Sequence, residues 1–192
     1  KAKEFFGYGT PIVNYMDVFA RGTIRPAQVG GRVFVTPQEQ CLFGVRPGDV
    51  LFTRTSETVD EVGIAAVVED AVPGTVFSGF VLRGRPIGND LDRTYCRYCF
   101  NALQIREQIV SKATYTTRAL TNGHALSSVQ LNLPPLPEQR AIAAVLSDMD
   151  AEIAALERRR EKTRLVKQGM MQELLTGRIR LLKPTKVEAG TG

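Results

Sequence analysis

Histidine occurs once in the 192 residues and cysteine three times. A single histidine leaves no paired metal-ligand spacing, and with no GxSxG elbow present the sequence gives hydrolytic catalysis no support. An odd number of thiols argues against a disulfide framework. Cys96 and Cys99 form a CxxC, but zinc would need two more ligands, and only Cys41 and His124 are candidates. We therefore expect no metal and read the pair as small apolar thiols packed on a helix. No glycine-rich loop follows a strand and opens a helix, so no dinucleotide or P-loop pocket is expected. No apolar run approaches the eighteen or so residues of a membrane span and no signal peptide is seen, so we expect a cytoplasmic chain without membrane contact. The chain starts at Lys1 instead of Met, which suggests a piece of a longer protein.

What is present suits a globular chain: 43% hydrophobic residues and a net charge of +5. The positive balance leans towards a polyanionic partner. Residues 1–133 carry 14 basic and 12 acidic side chains and residues 134–192 carry 11 and 8, so a nucleic-acid surface would have to be a local patch.

The most informative stretch runs from Asn132 to Leu182. Pro134, Pro135 and Pro137 keep the approach extended and suit a first helical turn, and Glu138 sets negative charge at the positive end of the helix dipole. Gly177 then follows Leu174, Leu175 and Thr176 as a C′ glycine would, with Arg178, Arg180 and Lys183 near the negative end. A helix continuous from Glu138 to Leu175 would be about 57 Å long at about 1.5 Å per residue. Ile142, Leu146, Met149, Ile153 and Leu156, flanked by Val145, form one narrow apolar stripe of the kind a partner helix packs against. The register then meets Arg160, Thr163 and Lys167 before Met170 and Leu174 restore it, so ERRREKTR reads as a solvated face or as a basic strip for a phosphate backbone.

Residues 1–133 read as a mixed α/β domain. We expect strands at Ile12 to Tyr15, Val50 to Phe52, Ile64 to Val68 and Phe77 to Leu82, with a turn at Gly48-Asp49. A helix capped by Asp90 is expected to run to about Asn101, with Leu91, Tyr95 and Tyr98 or Cys99 on one face, and another helical turn over Leu103 to Val110. Three polar clusters stand out. FTRTSET holds Arg54, Thr55 and Ser56; FVLRGRP puts Arg83 and Arg85 on one face if extended; SKATYTTRALTNGHALSS offers Lys112, Tyr115, Thr117, Arg118 and Asn122. Arginine reads guanine edges or grips phosphate, and hydroxyls and amides hydrogen-bond to bases or backbone. Each arginine could equally form a surface ion pair with Glu57, Glu61 or Asp92, and Asn122-Gly123 could be a simple turn. NLPPL, from Asn132, falls short of the NPPY-type motif of amino-methyltransferases, because Leu133 intervenes and no aromatic follows.

GTPIVNYMDVF, PGDVLFTRTSETVDEVG, FSGFVLRGRP and above all LPPLPEQRAIAAVLSDMDAEI with LLTGRIRL give the chain a specific likeness. It resembles one target-recognition domain plus one conserved helical region of the specificity subunit of type I restriction-modification systems. The resemblance implies an α+β architecture, with a mixed α/β target-recognition domain over 1–133, a long coiled-coil-forming helix over 134–182 and a disordered tail over 183–192. It implies a non-catalytic reader of one half of a bipartite double-stranded DNA target, with no cofactor of its own. S-adenosylmethionine is expected on the methyltransferase subunits that dock on the helix, and the assembly can recruit a restriction subunit. In that frame Arg54, Thr55, Ser56, Arg83, Arg85, Lys112, Arg118 and Asn122 are the candidate DNA contacts. Ile142, Leu146, Met149, Ile153 and Leu156 form the pairing seam, and a helix of about 57 Å spans at most about 17 base pairs. Charge reversal at Arg83 and Arg85 should then weaken DNA binding without unfolding. A complete specificity subunit has two such domains and two such helices, so we expect either half of a longer subunit or a short one acting as a homodimer. The alternatives are an assembly module that binds only proteins, and a self-sufficient nuclease or methyltransferase.

Overall fold

Two sequence runs, VLFT and AAVV, are apolar but for Thr53 and show no alternation, the pattern of strands covered on both faces. In the computed structural model, which describes residues 2–25, 28–70 and 73–182, they lie side by side at the centre of a mixed α/β domain. Its strands are β1 (Phe6–Val13), β2 (Thr23–Ile24), β3 (Arg32–Val33), β4 (Val50–Thr53), β5 (Thr55–Ser56), β6 (Ala65–Val68), β7 (Val76–Phe77), β8 (Val81–Gly84), β9 (Thr114–Tyr115) and β10 (Ala119–Leu120). Its helices are α1 (Tyr15–Phe19), α2 (Pro37–Phe43), α3 (Arg93–Cys99), α4 (Leu103–Ser111) and α5 (Gly123–Ser127), and one long helix, α6 (Leu136–Leu175), follows them.

The four-stranded sheet has the order β2-β6-β4-β8, with β2 parallel to β6 and the other pairs antiparallel. Strand pleating sends Leu51, Ala66, Val68 and Val81 into one core with Val13, Val18 and Ile24. It sends Val50, Phe52, Ala65 and Val67 into a second core closed by Cys96 of α3, with Leu82, Leu91, Phe100 and Leu126 packed around it. Cys96 and Cys99 are thus buried thiols on a helix, and among the described residues no cluster of His, Cys, Asp and Glu could hold a metal. Two three-stranded sheets, β3-β1-β7 and β5-β10-β9, flank the centre.

Local chemistry explains where the expected elements shift. The strand placed at Ile12 to Tyr15 instead runs from Phe6 to Val13, because Asn14 and Asp17 form a capping box that opens α1. The single strand expected from Phe77 to Leu82 is two. A turn in which the Val81 amide donates to the Ser78 carbonyl sends β7 to pair with β1 and β8 with β4. Asp92, not Asp90, caps α3, its carboxylate accepting from the Thr94 and Tyr95 amides. Asn122 is not a simple turn residue but the cap of α5, accepting from the Ala125 amide. α2 was not foreseen, although Thr36, Pro37 and Glu39 spell a capping box with proline in the first turn.

α6 begins among the prolines and ends where Gly177, at φ +72°, donates its amide to the Leu174 carbonyl. Its 40 residues make about 60 Å of helix at about 1.5 Å each. Contacts divide the chain after Ala143, so the first two turns of α6 fold with the mixed domain. Gln139 fixes them there. Buried to 1% exposure, its side chain accepts from the Asp92 amide and donates to the carbonyls of Asp90 and Pro134, each at 2.8 Å. The tail expected over 183–192 lies outside the described residues. No described helix is long and apolar enough to cross a membrane.

Candidate nucleic-acid interface

Strand register decides which candidate contacts can meet. β10 pairs with β5, setting Leu120 opposite Thr55 and Ala119 opposite Ser56, and with β9, setting Ala119 opposite Tyr115. FTRTSET and SKATYTTRAL therefore share one small sheet, and Arg54, Thr55, Ser56 and Arg118 come together with Asn122 adjoining, since the Thr121 amide donates to the Arg54 carbonyl. Lys112 is the exposed residue that ends α4, just before β9.

Arg83 and Arg85 go elsewhere. In the β4–β8 ladder Thr53 faces Val81 while Val50 faces Gly84, so Arg54 leaves one end of the ladder and Arg85 the other. Asp49 to Thr55 is six residues, at most about 20 Å of extended chain. The pleat does put Arg83 and Arg85 on one face, but there both guanidinium groups are engaged by the domain itself. Arg83 donates to the Gly44 carbonyl and its guanidinium lies 5.3 Å from the Phe77 ring centroid, where burial and then the neighbouring Arg85 hold its pKa below the ordinary arginine value. Arg85 grips Asp49 with two bonds of 2.7 Å, and this hydrogen-bonded carboxylate raises the Arg85 pKa. The Asp49 side chain is 1% exposed, so its partner is part of the fold.

Three of the remaining candidates, Thr55, Ser56 and Arg118, line a cleft of about 350 Å³. Thr55 and Arg118 line it with Phe80, Glu57 and the stacked rings of Tyr15 and Phe19, whose centroids are 5.5 Å apart. Phe80 is 64% exposed at the tip of the β7–β8 turn, which the Arg54 guanidinium steadies through the Gly79 carbonyl. Ser56 lines the same cleft, but its hydroxyl is committed, donating to Glu61 and accepting from the Thr58 amide. Arg118 is 3.7 Å from Glu57 with both side chains mostly exposed, a pair that solvent weakens and a stronger anion can displace. Such a cleft offers guanidinium for a guanine edge or phosphate, carboxylate for a cytosine amino group, and ring faces for a thymine methyl or an unstacked base. The sequence reading missed Tyr15, Phe19 and Phe80. The first two, spaced four apart, were readable as a helical aromatic pair; their arrival beside Thr55 is a tertiary fact.

Comparison with known proteins agrees with this architecture. The family model described as the type I restriction modification DNA specificity domain matches residues 43–165. The MjaX type I restriction enzyme specificity subunit of Methanocaldococcus jannaschii is 30% identical over 132 residues, 67% of this chain and 30% of that protein. The MjaVIII specificity subunit of the same organism is 32% identical over 80 residues, 41% of this chain and 19% of that one. The chain thus spans less than a third of the length of these two relatives. The HsdS subunit of Thermoanaerobacter tengcongensis shares the fold at a TM-score of 0.60 and 19% identity, over 88% of this chain and 41% of that one. The S subunit of M. genitalium does so at 0.51 and 17%, over 90% and 40%. A family model that starts in the mixed domain and continues far into the long helix settles the assignment: the chain belongs to the type I restriction-modification DNA specificity family.

Proposed function

We propose that the chain reads one half of a bipartite DNA target through a recognition domain over residues 1–133 and carries that domain on a spacer helix over 134–182. The observation that carries this reading is the single family match running from residue 43 to 165, across the domain and into the helix. The reading surface is the cleft bordered by Thr55, Phe80 and Arg118, with Arg54, Lys112 and Asn122 beside it. The helix forms a coiled coil through Ile142, Leu146, Met149, Ile153 and Leu156, lying antiparallel to a second helix from another copy or from a second repeat in a longer chain. The same helix docks the methyltransferase subunits, which bring S-adenosylmethionine, so the chemistry on DNA is theirs.

Salt dependence tests the reading. Binding of the chain to duplex DNA should weaken linearly in log K against log salt, with a slope of about 0.9 per phosphate contacted. A salt-independent association confined to protein partners would sink it in favour of an assembly module. Methylation or cleavage of DNA by the purified chain alone would instead establish a self-sufficient enzyme.

A further inference from the structure

At the end of the β4–β8 ladder away from the reading cleft, a second cleft of about 630 Å³ opens in the mixed domain, and four arginines line it: Arg46, Arg85, Arg93 and Arg140. The two carboxylates there are already engaged. Asp49 is held by Arg85 and by the Arg46 backbone amide, and Asp92 caps α3 while lying 3.6 Å from Arg140. Four guanidinium charges thus face two lining carboxylates, with the Asp90 carboxylate beside Gly88 at the rim, and among the described residues the side chains of Arg46 and Arg93 have no protein partner. Like-charge crowding is felt nearby, because both Arg85 and Arg46 act on Arg83 to make its charge less favourable. Arg93 lies across Gly48, close enough that a Cβ there would come 3.4 Å from its Nε. The wall beside it is short, made of Pro47, Pro86 and Gly88, so a bulky anion can reach the guanidinium forks.

We propose that this cleft is a phosphate-binding site that grips the DNA sugar-phosphate backbone through Arg46 and Arg93, with Arg140 and Arg85 behind them. The inference rests on the DNA-reading function proposed above. Guanidinium presents paired donors that match two oxygens of a phosphodiester, and a cluster with surplus positive charge favours an anion that brings no cation of its own. The two clefts lie at opposite ends of the β4–β8 ladder, and Asp49 in one and Thr55 in the other are at most about 20 Å apart along the chain, the length of about six base-pair rises of about 3.4 Å. Phosphate contacts of this sort set the register in which base contacts are made, and they act alike on every sequence.

The test uses the full chain and a fluorescent duplex of random sequence, with anisotropy followed across a salt series. Arg46 and Arg93 are exposed and hold nothing else in place, so the double variant R46A/R93A should melt like the parent. It should bind about tenfold more weakly, with a salt slope shallower by about 1 to 2, and R46K/R93K should restore most of the slope. An unchanged slope in R46A/R93A, beside a parent that keeps its salt dependence, overturns the phosphate site and leaves the DNA-reading function standing. A parent with no salt-dependent binding overturns both. Inorganic phosphate that binds the parent, is lost from R46A/R93A and is not displaced by duplex would assign the cleft to a free anion and overturn the DNA role. Loss of methyltransferase capture with DNA binding intact would make it a surface for an acidic protein, which overturns the proposal as well.

Discussion

At the scale of single residues, Gln139 shows how one side chain turns a sequence motif into structure. The glutamine of LPPLPEQ faces no solvent; its carbonyl oxygen and amino group satisfy Asp92, Asp90 and Pro134 at once. Gln139→Ala would strand one donor and two acceptors, each costing about 1 to 3 kcal/mol when left unpaired, and partial entry of water makes about 3 kcal/mol the expected total. Urea unfolding checks this as a lower midpoint at unchanged m-value. Arg85 makes a second case. The sequence suggests a DNA contact that tolerates charge reversal, whereas the structure sets its guanidinium against a buried carboxylate. Arg85→Ala should cost about 2 to 3 kcal/mol, below the range for a fully buried pair because the Arg85 side chain is 35% exposed, and Arg85→Glu should cost more. Equal thermal stability of R85E and the parent would show that Asp49 does not need its partner. Residue type thus made the arginines visible in the sequence and hid their roles, because whether a guanidinium faces a carboxylate or solvent depends on strands far apart in the chain.

At the scale of elements, α6 was legible almost to the residue, because prolines, a glycine and a four-and-three stripe are local signals. The strand of Phe77 to Leu82 was not, since a turn inside an apolar run is fixed by which sheet each half can join. The stripe itself stays open: Met149, Ile153 and Leu156 are 55 to 57% exposed and Ile142 36%. Side chains of this size gain about 1.5 to 3 kcal/mol each on full burial, so a mate helix covering the stripe would be worth several kcal/mol before association costs. Leu146→Asp or Ile153→Asp would bury a carboxylate in that seam and should abolish pairing. The mixed domain should meanwhile melt as in the parent, because contacts divide the chain after Ala143. Light scattering and a melting curve on the same samples decide it: variants that keep the parent's assembled mass would mean that other residues make the seam.

At the scale of the whole molecule, the net charge of +5 is too small and too evenly spread to bind DNA as a general field, so the DNA affinity proposed above would have to come from local clusters. One domain supplies only part of the affinity of a linked pair, and linkage raises the effective concentration of the second half-site to the millimolar range for short connections. On the proposed function, residues 1–192 taken by themselves present one recognition domain and one open stripe and should rebuild the pair by self-association. In solution it should show about twice its 21.1 kDa mass, fall towards 21.1 kDa on dilution, and take up methyltransferase subunits only in the paired form. Its affinity for DNA carrying two copies of the target half-site should exceed that for one copy by about 100-fold or more. A strict monomer with equal affinity for one and two half-sites would mean that the mate of α6 lies on a different chain segment, and that the seam selects that segment over a second copy of itself.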